Sequence, residues 1–206
     1  CGNSAENLAA NIQILTGLTV NHFASFNFEG FEDIIDSFGG IEICVDKTQR
    51  EGYSFELQEG CQTVAGSTAL NWVVSRNTEV LVGEKLVDEN GNDISEWKKM
   101  AGVSDLSRND RQQYIILQLL NEIKDFRSFG ELNTFISTLE DAFVIDENLS
   151  INSAVNILWN FRETDLTDIE KLSIPVSPYE LDDGRQVLII SEYFSKYAAS
   201  KGLKNS

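Results

Sequence analysis

Arg108, Arg111 and Gln112 stand together in the stretch "DLSRNDRQQ", residues 105–113. Behind them Ile115, Ile116, Leu119, Leu120, Ile123 and Phe126 recur at helical spacing, so the stretch opens an amphipathic helix on which positions 108, 111, 112 and 115 share a face. Cations in the first turns of a helix meet the positive end of its dipole and lose roughly a few tenths of a kcal/mol there. The chain has 33 Asp and Glu against 16 Lys and Arg, a net charge of −17, so acids were available for those positions. Main-chain N–H groups at a helix start, joined by guanidinium forks, make an anion site suited to phosphate. Arg76, across a long polar stretch, would complete it. The alternative is that Arg108 pairs with Asp105 and Arg111 with another nearby acid, as surface ion pairs of little energetic consequence.

The other chemistry-bearing residues point elsewhere. His22, the sole histidine, lies in a strand-like segment with no serine or cysteine beside it in a nucleophile motif, and reads as structural. Gly39-Gly40 lacks the spacing of a dinucleotide fingerprint. The acidic stretch "VDENGNDISEW" lacks the closing glutamate of a calcium loop, and no metal-ligand set emerges from the residues. In "GGIEICVD", Ile41, Ile43 and Val45 alternate with Glu42, Cys44 and Asp46, which places Cys44 on the polar side of a half-buried strand. Cys44 and Cys61 either pair, which would constrain the unfolded chain by about 3 kcal/mol and place the domain outside the cytoplasm, or remain two independent thiols. "CGNS" at the start reads either as the lipid-bearing end of a processed lipoprotein or as the interior of a longer domain.

These residues need a scaffold. With 206 residues, 42% of them hydrophobic and only two prolines, the chain reads as one domain over 1–206 with no linker. Its acidity argues against nonspecific binding to nucleic acid or anionic lipid, so any anion site must be local. No apolar run reaches the roughly eighteen residues of a membrane span. The patterns predict helices over 4–17, 29–40, 65–76, 105–126, 129–143, 150–161 and 191–202. Strands are predicted over 19–28, 41–46, 169–177 and 185–190, and a long loop over 77–104. The order is that of an α/β domain with helices packed on a mixed sheet.

Three blocks, "VNHFASFNFEGFEDIIDSFGGIEICVD", "LQEGCQTVAGSTALNWVVSR" and "DLSRNDRQQYIILQLL", resemble consecutive blocks of the LytR-CpsA-Psr family of bacterial cell-wall enzymes. The likeness covers residues 19–120, and the helix-rich remainder, 121–206, resembles the family's C-terminal part. It implies an αβα-layered fold with a central mixed sheet and a hydrophobic lipid-binding tunnel. The activity it implies is transfer of a glycopolymer, such as a teichoic acid or capsule, from a polyprenyl pyrophosphate carrier to peptidoglycan, forming a phosphodiester. That reaction takes place on the extracytoplasmic face of the cell membrane. By the same resemblance Arg76 matches the second arginine of an "RxR" segment, and Arg108, Arg111 and Gln112 match a "DxxRxxRQ" helix, all expected to hold the pyrophosphate. Val74 stands where the first "RxR" arginine is expected, which removes one phosphate contact. The family also implies Mg²⁺, whose aspartate ligands, like the membrane anchor, are expected upstream of residue 1. Loss of that contact keeps a second expectation open, a non-catalytic binder of polyprenyl phosphates.

Overall fold

The computed structural model describes residues 2–100, 105–165, 169, 176–190, 194, 196 and 200. The chain divides into two compact units, one of Cys1–Phe23 with Thr167–Ser206, the other of Ala24–Leu166. The first begins with α1 (Gly2–Thr16). The second runs through β1 (Ala24–Phe26), α2 (Phe28–Ser37), β2 (Ile41–Val45), β3 (Gln49–Glu51), β4 (Phe55–Leu57), β5 (Gly60–Val64) and α3 (Gly66–Val74). It continues with β6 (Glu79–Val82), β7 (Glu96–Lys99), α4 (Asp105–Glu122), α5 (Phe129–Thr138), β8 (Phe143–Ile145) and α6 (Ile151–Phe161). The first unit also holds β9 (Val176–Glu180) and β10 (Gln186–Ile190), an antiparallel hairpin.

The strand predicted over 19–28 is shorter in the structure because Asn27 ends it. Its side chain accepts from Gly30 N at 2.7 Å and caps α2, so only residues 24–26 remain extended as strand. Gly39, at φ 82°, supplies the left-handed turn after α2, and Gly40 N donates back to Ile35 O. A second cap links α2 to α3. Asp36 Oδ1 accepts from Gly66 N at 2.7 Å, and a Cβ on Gly66 would lie 2.5 Å from Glu32 O, so only glycine lets α3 start this close to α2. The Asp36 contact ties the start of α3 to α2, and α3 ends at Val74, two residues before Arg76.

β2 pairs antiparallel with β5, burying Ile41, Ile43 and Val45 while Glu42 and Cys44 face solvent, as the alternation predicts. Cys44 lies opposite Cys61 in this ladder and the two form a disulfide, which decides between the two thiol readings. The stretch predicted as a long loop instead forms β6 and β7, which join β3 and β4 in a sheet of order β4-β3-β6-β7. Four-residue strands give too little alternation to register as a period, and the ladder depends on β3, a partner distant in sequence. Every ladder among the described residues is antiparallel.

One buried cluster joins Ile35, Ile41, Ile43, Leu57, Ala69, Trp72 and Ile115, and a second joins Ile123, Leu132 and Val155. The helix predicted over 129–143 stops at Thr138. A 3₁₀ turn over Glu140–Ala142 then leads into β8, which pairs with β1. Most of the strand predicted over 169–177 and of the helix predicted over 191–202 falls outside the described residues. Phe194, Lys196 and Ser200 are helical.

Candidate functional site

α4 packs on α3 and β2, and the face predicted to carry Arg108, Arg111 and Gln112 divides in two. Arg111 turns inward and is 8% exposed. Its Nη1 donates to Trp72 O and, at 3.1 Å, to Thr78 Oγ1, while its Nη2 donates to Ser75 O at 2.6 Å. Its guanidinium carbon lies 5.7 Å from the centre of the Trp72 ring. Ser75 and Thr78 are buried, and their hydroxyls are 2.7 Å apart. The last carbonyls of a helix have no partner within it and carry the negative end of its dipole, and Arg111 serves that end of α3. Burial pulls the Arg111 pKa below its ordinary value; the Glu51 charge acts the other way, and the Arg108 charge adds to the fall. An arginine stays charged through such a shift. Arg108 is half-buried and Gln112 exposed, four residues apart on one side of α4. Arg76 is exposed, directly after the Ser75 carbonyl that Arg111 holds.

Beside these residues the second unit encloses a cavity of about 730 Å³. α2 contributes Phe31 and Ile34, α4 contributes Ile115, Ile116, Leu119 and Leu120, and α5 and α6 contribute Ile136, Ile157 and Leu158. Asn27 and Gln112 are the polar residues of its lining, and Val73 and Val74 reach it from the end of α3. Phe26, Phe28, Val74, Ile116 and Ile157 all line it and remain more than a third exposed. Burying a side chain of that size stabilises a fold by roughly 1.5–3 kcal/mol. The unit therefore forgoes a sizeable packing energy to keep an apolar surface open next to its arginines. Periodicity marks the apolar faces of α2 and α4 but cannot separate wall from core. Ile115 is 1% exposed and its neighbour Ile116 52%. The walls from α5, α6 and β8 had no signal in the sequence beyond ordinary amphipathicity, and the buried hydroxyls of Ser75 and Thr78 had none.

One turn after Arg111, Tyr114 receives a hydrogen bond from Cys44 N at 3.3 Å and its hydroxyl lies 3.3 Å from Glu42 O. This ties the helix to the disulfide-bearing strand. Among the described residues the candidate metal-ligand grouping is Glu42 with Cys44 and Cys61, but the disulfide takes both thiols. The one carboxylate left, Glu42, does not fit Mg²⁺. No described helix is long and apolar enough to cross a membrane.

An α/β domain with an open apolar cavity, lined at Gln112 and Val74 by the elements that carry or precede the arginines, is the class this geometry defines. The LytR_cpsA_psr family model matches residues 3–84 and 94–201, and the chain belongs to that family. The cell wall biosynthesis protein LcpA of Corynebacterium glutamicum is 28% identical over 166 residues, covering 79% of this chain and 28% of LcpA. The polyisoprenyl-teichoic acid–peptidoglycan teichoic acid transferase TagT of Bacillus subtilis is 22% identical over 177 residues, covering 82% of this chain and 46% of TagT. The crystal structure of B. subtilis TagV superposes with a TM-score of 0.73 at 15% identity, over 98% of this chain and 71% of TagV, and shows the shared fold. The chain spans less than half the length of the two curated relatives.

Proposed function

We propose that this chain takes part in transferring a glycopolymer from a polyprenyl pyrophosphate carrier to peptidoglycan, in cell wall biogenesis on the extracytoplasmic face of the cell membrane. The observation that carries this reading is the apolar cavity whose lining includes Gln112 and Val74, the first next to Arg111 in the chain and the second two residues before Arg76. A carrier lipid has these two parts, a long apolar tail and a doubly charged head. The cavity suits the tail, and the cations suit the head in a chain otherwise strongly acidic.

The chemistry follows from that placement. A peptidoglycan hydroxyl attacks the phosphorus joined to the glycan, forming a new P–O bond while the bond to the bridging oxygen breaks. The hydroxyl proton passes to solvent or a base, and polyprenyl monophosphate leaves. Negative charge grows on the departing phosphate, so fixed cations there favour the transition state over the ground state. Arg76, Arg108 and Gln112 contact the pyrophosphate in this reading, and Arg111 adds its charge. Mg²⁺ belongs to the reading by family only, without a ligand assigned in this chain. The Cys44–Cys61 disulfide and the relatives' part in cell-wall synthesis support the envelope location.

The test mixes the protein with a polyprenyl-pyrophosphate-linked glycan and peptidoglycan. Glycan phosphate bound to the wall fraction, with polyprenyl monophosphate released in equal amount, supports transfer. Val74, an apolar residue where a further cation would help a departing phosphate, favours a second reading as a non-catalytic binder of the carrier. Tight carrier binding with neither product would establish that reading instead.

A further inference from the structure

We propose that Arg111, Thr78 and Ser75 form a latch that positions the anion-binding side chains, with Arg111 acting through the main chain of residues 72–78 and not as a phosphate ligand. This rests on the reading of the site given above and assigns Arg111 a different part in it. Arg111 carries a charge of the right sign beside the cavity, but its fork faces into the protein. It donates to Trp72 O in the last turn of α3, to Ser75 O immediately before Arg76, and to the Thr78 hydroxyl. Thr78 is 0% exposed and Ser75 3%. A hydroxyl has one proton and two lone pairs, and the Thr78 hydroxyl uses them on Arg111 and on the Ser75 hydroxyl, so the three side chains close one network. Main-chain bonds hold both ends of the turn, with Ser75 N donating to Asn71 O and Met100 N to Thr78 O.

The consequence is geometric. The turn that bears Arg76 is held from its inner side by α4, the helix that bears Arg108 and Gln112. Anion-binding groups on two elements distant in sequence are thereby set at a fixed separation before any ligand arrives. Pre-organised donors of this kind bind a developing charge without a reorganisation cost. Without the latch the α3 end would be free to drift from α4, and a pyrophosphate would have to order it on binding.

The test uses the chain itself with two probes that share a tail, geranylgeranyl pyrophosphate and geranylgeraniol, followed by calorimetry. Thr78→Val should weaken the pyrophosphate about tenfold, the scale of one lost hydrogen bond, and leave the alcohol unchanged. Thr78→Ser should restore binding. Arg111→Lys keeps the charge but loses the planar fork, and should show the same selective loss. Hydrogen exchange at residues 74–79 should quicken in ligand-free Thr78→Val. If Thr78→Val does not fold, Ser75→Ala, which removes only the second hydroxyl, should show the same pattern at about threefold.

Variants that bind the pyrophosphate like the parent, or that lose both probes equally, would overturn the latch, as would unchanged exchange at 74–79. Parent-like binding by Arg111→Lys would show that charge alone matters. Arg108→Ala separates the two claims. If it binds like the parent, the site reading has failed; if it is weakened while Thr78→Val is not, the latch alone has failed.

Discussion

Arg50, in the β4-β3-β6-β7 sheet, and Arg111, on α4, meet different surroundings. Arg50 Nε donates to Glu79 at 3.1 Å, its Nη1 pairs with Asp93, and its plane stacks on Trp97 at 3.8 Å. Asp93 also accepts from Trp97 Nε1, and Lys85 pairs with Glu56 across the same sheet. Both of these cations face carboxylates, and their charge is cancelled where it arises. Arg111 is bonded instead to two carbonyls and a hydroxyl, with the charge of Arg108 close enough to lower its pKa. Beside the first arginine the surface is closed by stacking, and beside the second lies an unfilled apolar cavity. In one region arginine completes a surface; in the other it braces the main chain at the edge of an open apolar space. The difference lies in what surrounds the guanidinium, and residue type alone does not reveal it.

The largest effect should come from Arg111. Arg111→Met leaves Trp72 O and Ser75 O buried without the donor they share, while the Thr78 hydroxyl keeps its bond to Ser75. At ~1–3 kcal/mol for each unpaired group, the loss should be on the order of 4 kcal/mol in urea unfolding. Removing the disulfide as Cys44→Ala with Cys61→Ala should cost about 3 kcal/mol by the same measurement. This tests the cross-strand staple on the strand that Tyr114 of α4 holds.

Arg108→Ala should weaken a polyprenyl pyrophosphate analogue by about 2 kcal/mol with little change in melting temperature. That pattern marks a cation held for a ligand. Val74→Arg should tighten the same analogue, and unchanged affinity would show that residue 74 does not face the head group. Arg50→Ala should lower stability by ~1 kcal/mol at most, since its partners are partly solvated, and should leave analogue binding as it was. Loss of binding in this variant would erase the distinction between the two regions.

The smallest effect is a titration. Hydrogen bonds from the Ser95 side chain and main chain and from Trp97, with the Arg50 charge, hold the Asp93 pKa down to about 2, from a usual 3.8. A depressed carboxylate stabilises the fold above its usual pKa and loses that contribution as the pH falls through the depressed one. The sheet network should therefore persist from neutral pH down past 4 and come apart toward 2. An NMR titration of Asp93 with its midpoint near 4 would contradict this.

Several of these features are legible in the sequence. The Ile41, Ile43, Val45 alternation predicts β2, and the apolar spacing behind "DLSRNDRQQ" predicts α4 and the face with Gln112. The cysteine positions predict a possible bridge, and the register of β2 on β5 makes it one. What stayed hidden depends on distant partners. β6 and β7 are too short to show a period and need β3 beside them. On the apolar helices, Ile115 and Ile116 are adjacent and equally hydrophobic and both line the cavity, yet one is buried in the core cluster and the other half exposed. Likewise Arg108 and Arg111 share a helical face by spacing, and only the position of the α3 end turns one of them inward.

A photo-crosslink tests the central claim most directly. A polyprenyl pyrophosphate analogue with a benzophenone at the tail terminus, irradiated on the protein, should label the cavity walls, in peptides covering residues 112–123 and 151–161. Labelling should fall when unmodified polyprenyl pyrophosphate competes. Crosslinks confined to the exposed apolar residues Leu86, Val87 and Ile94, or undiminished by competitor, would show that the cavity does not take the carrier lipid.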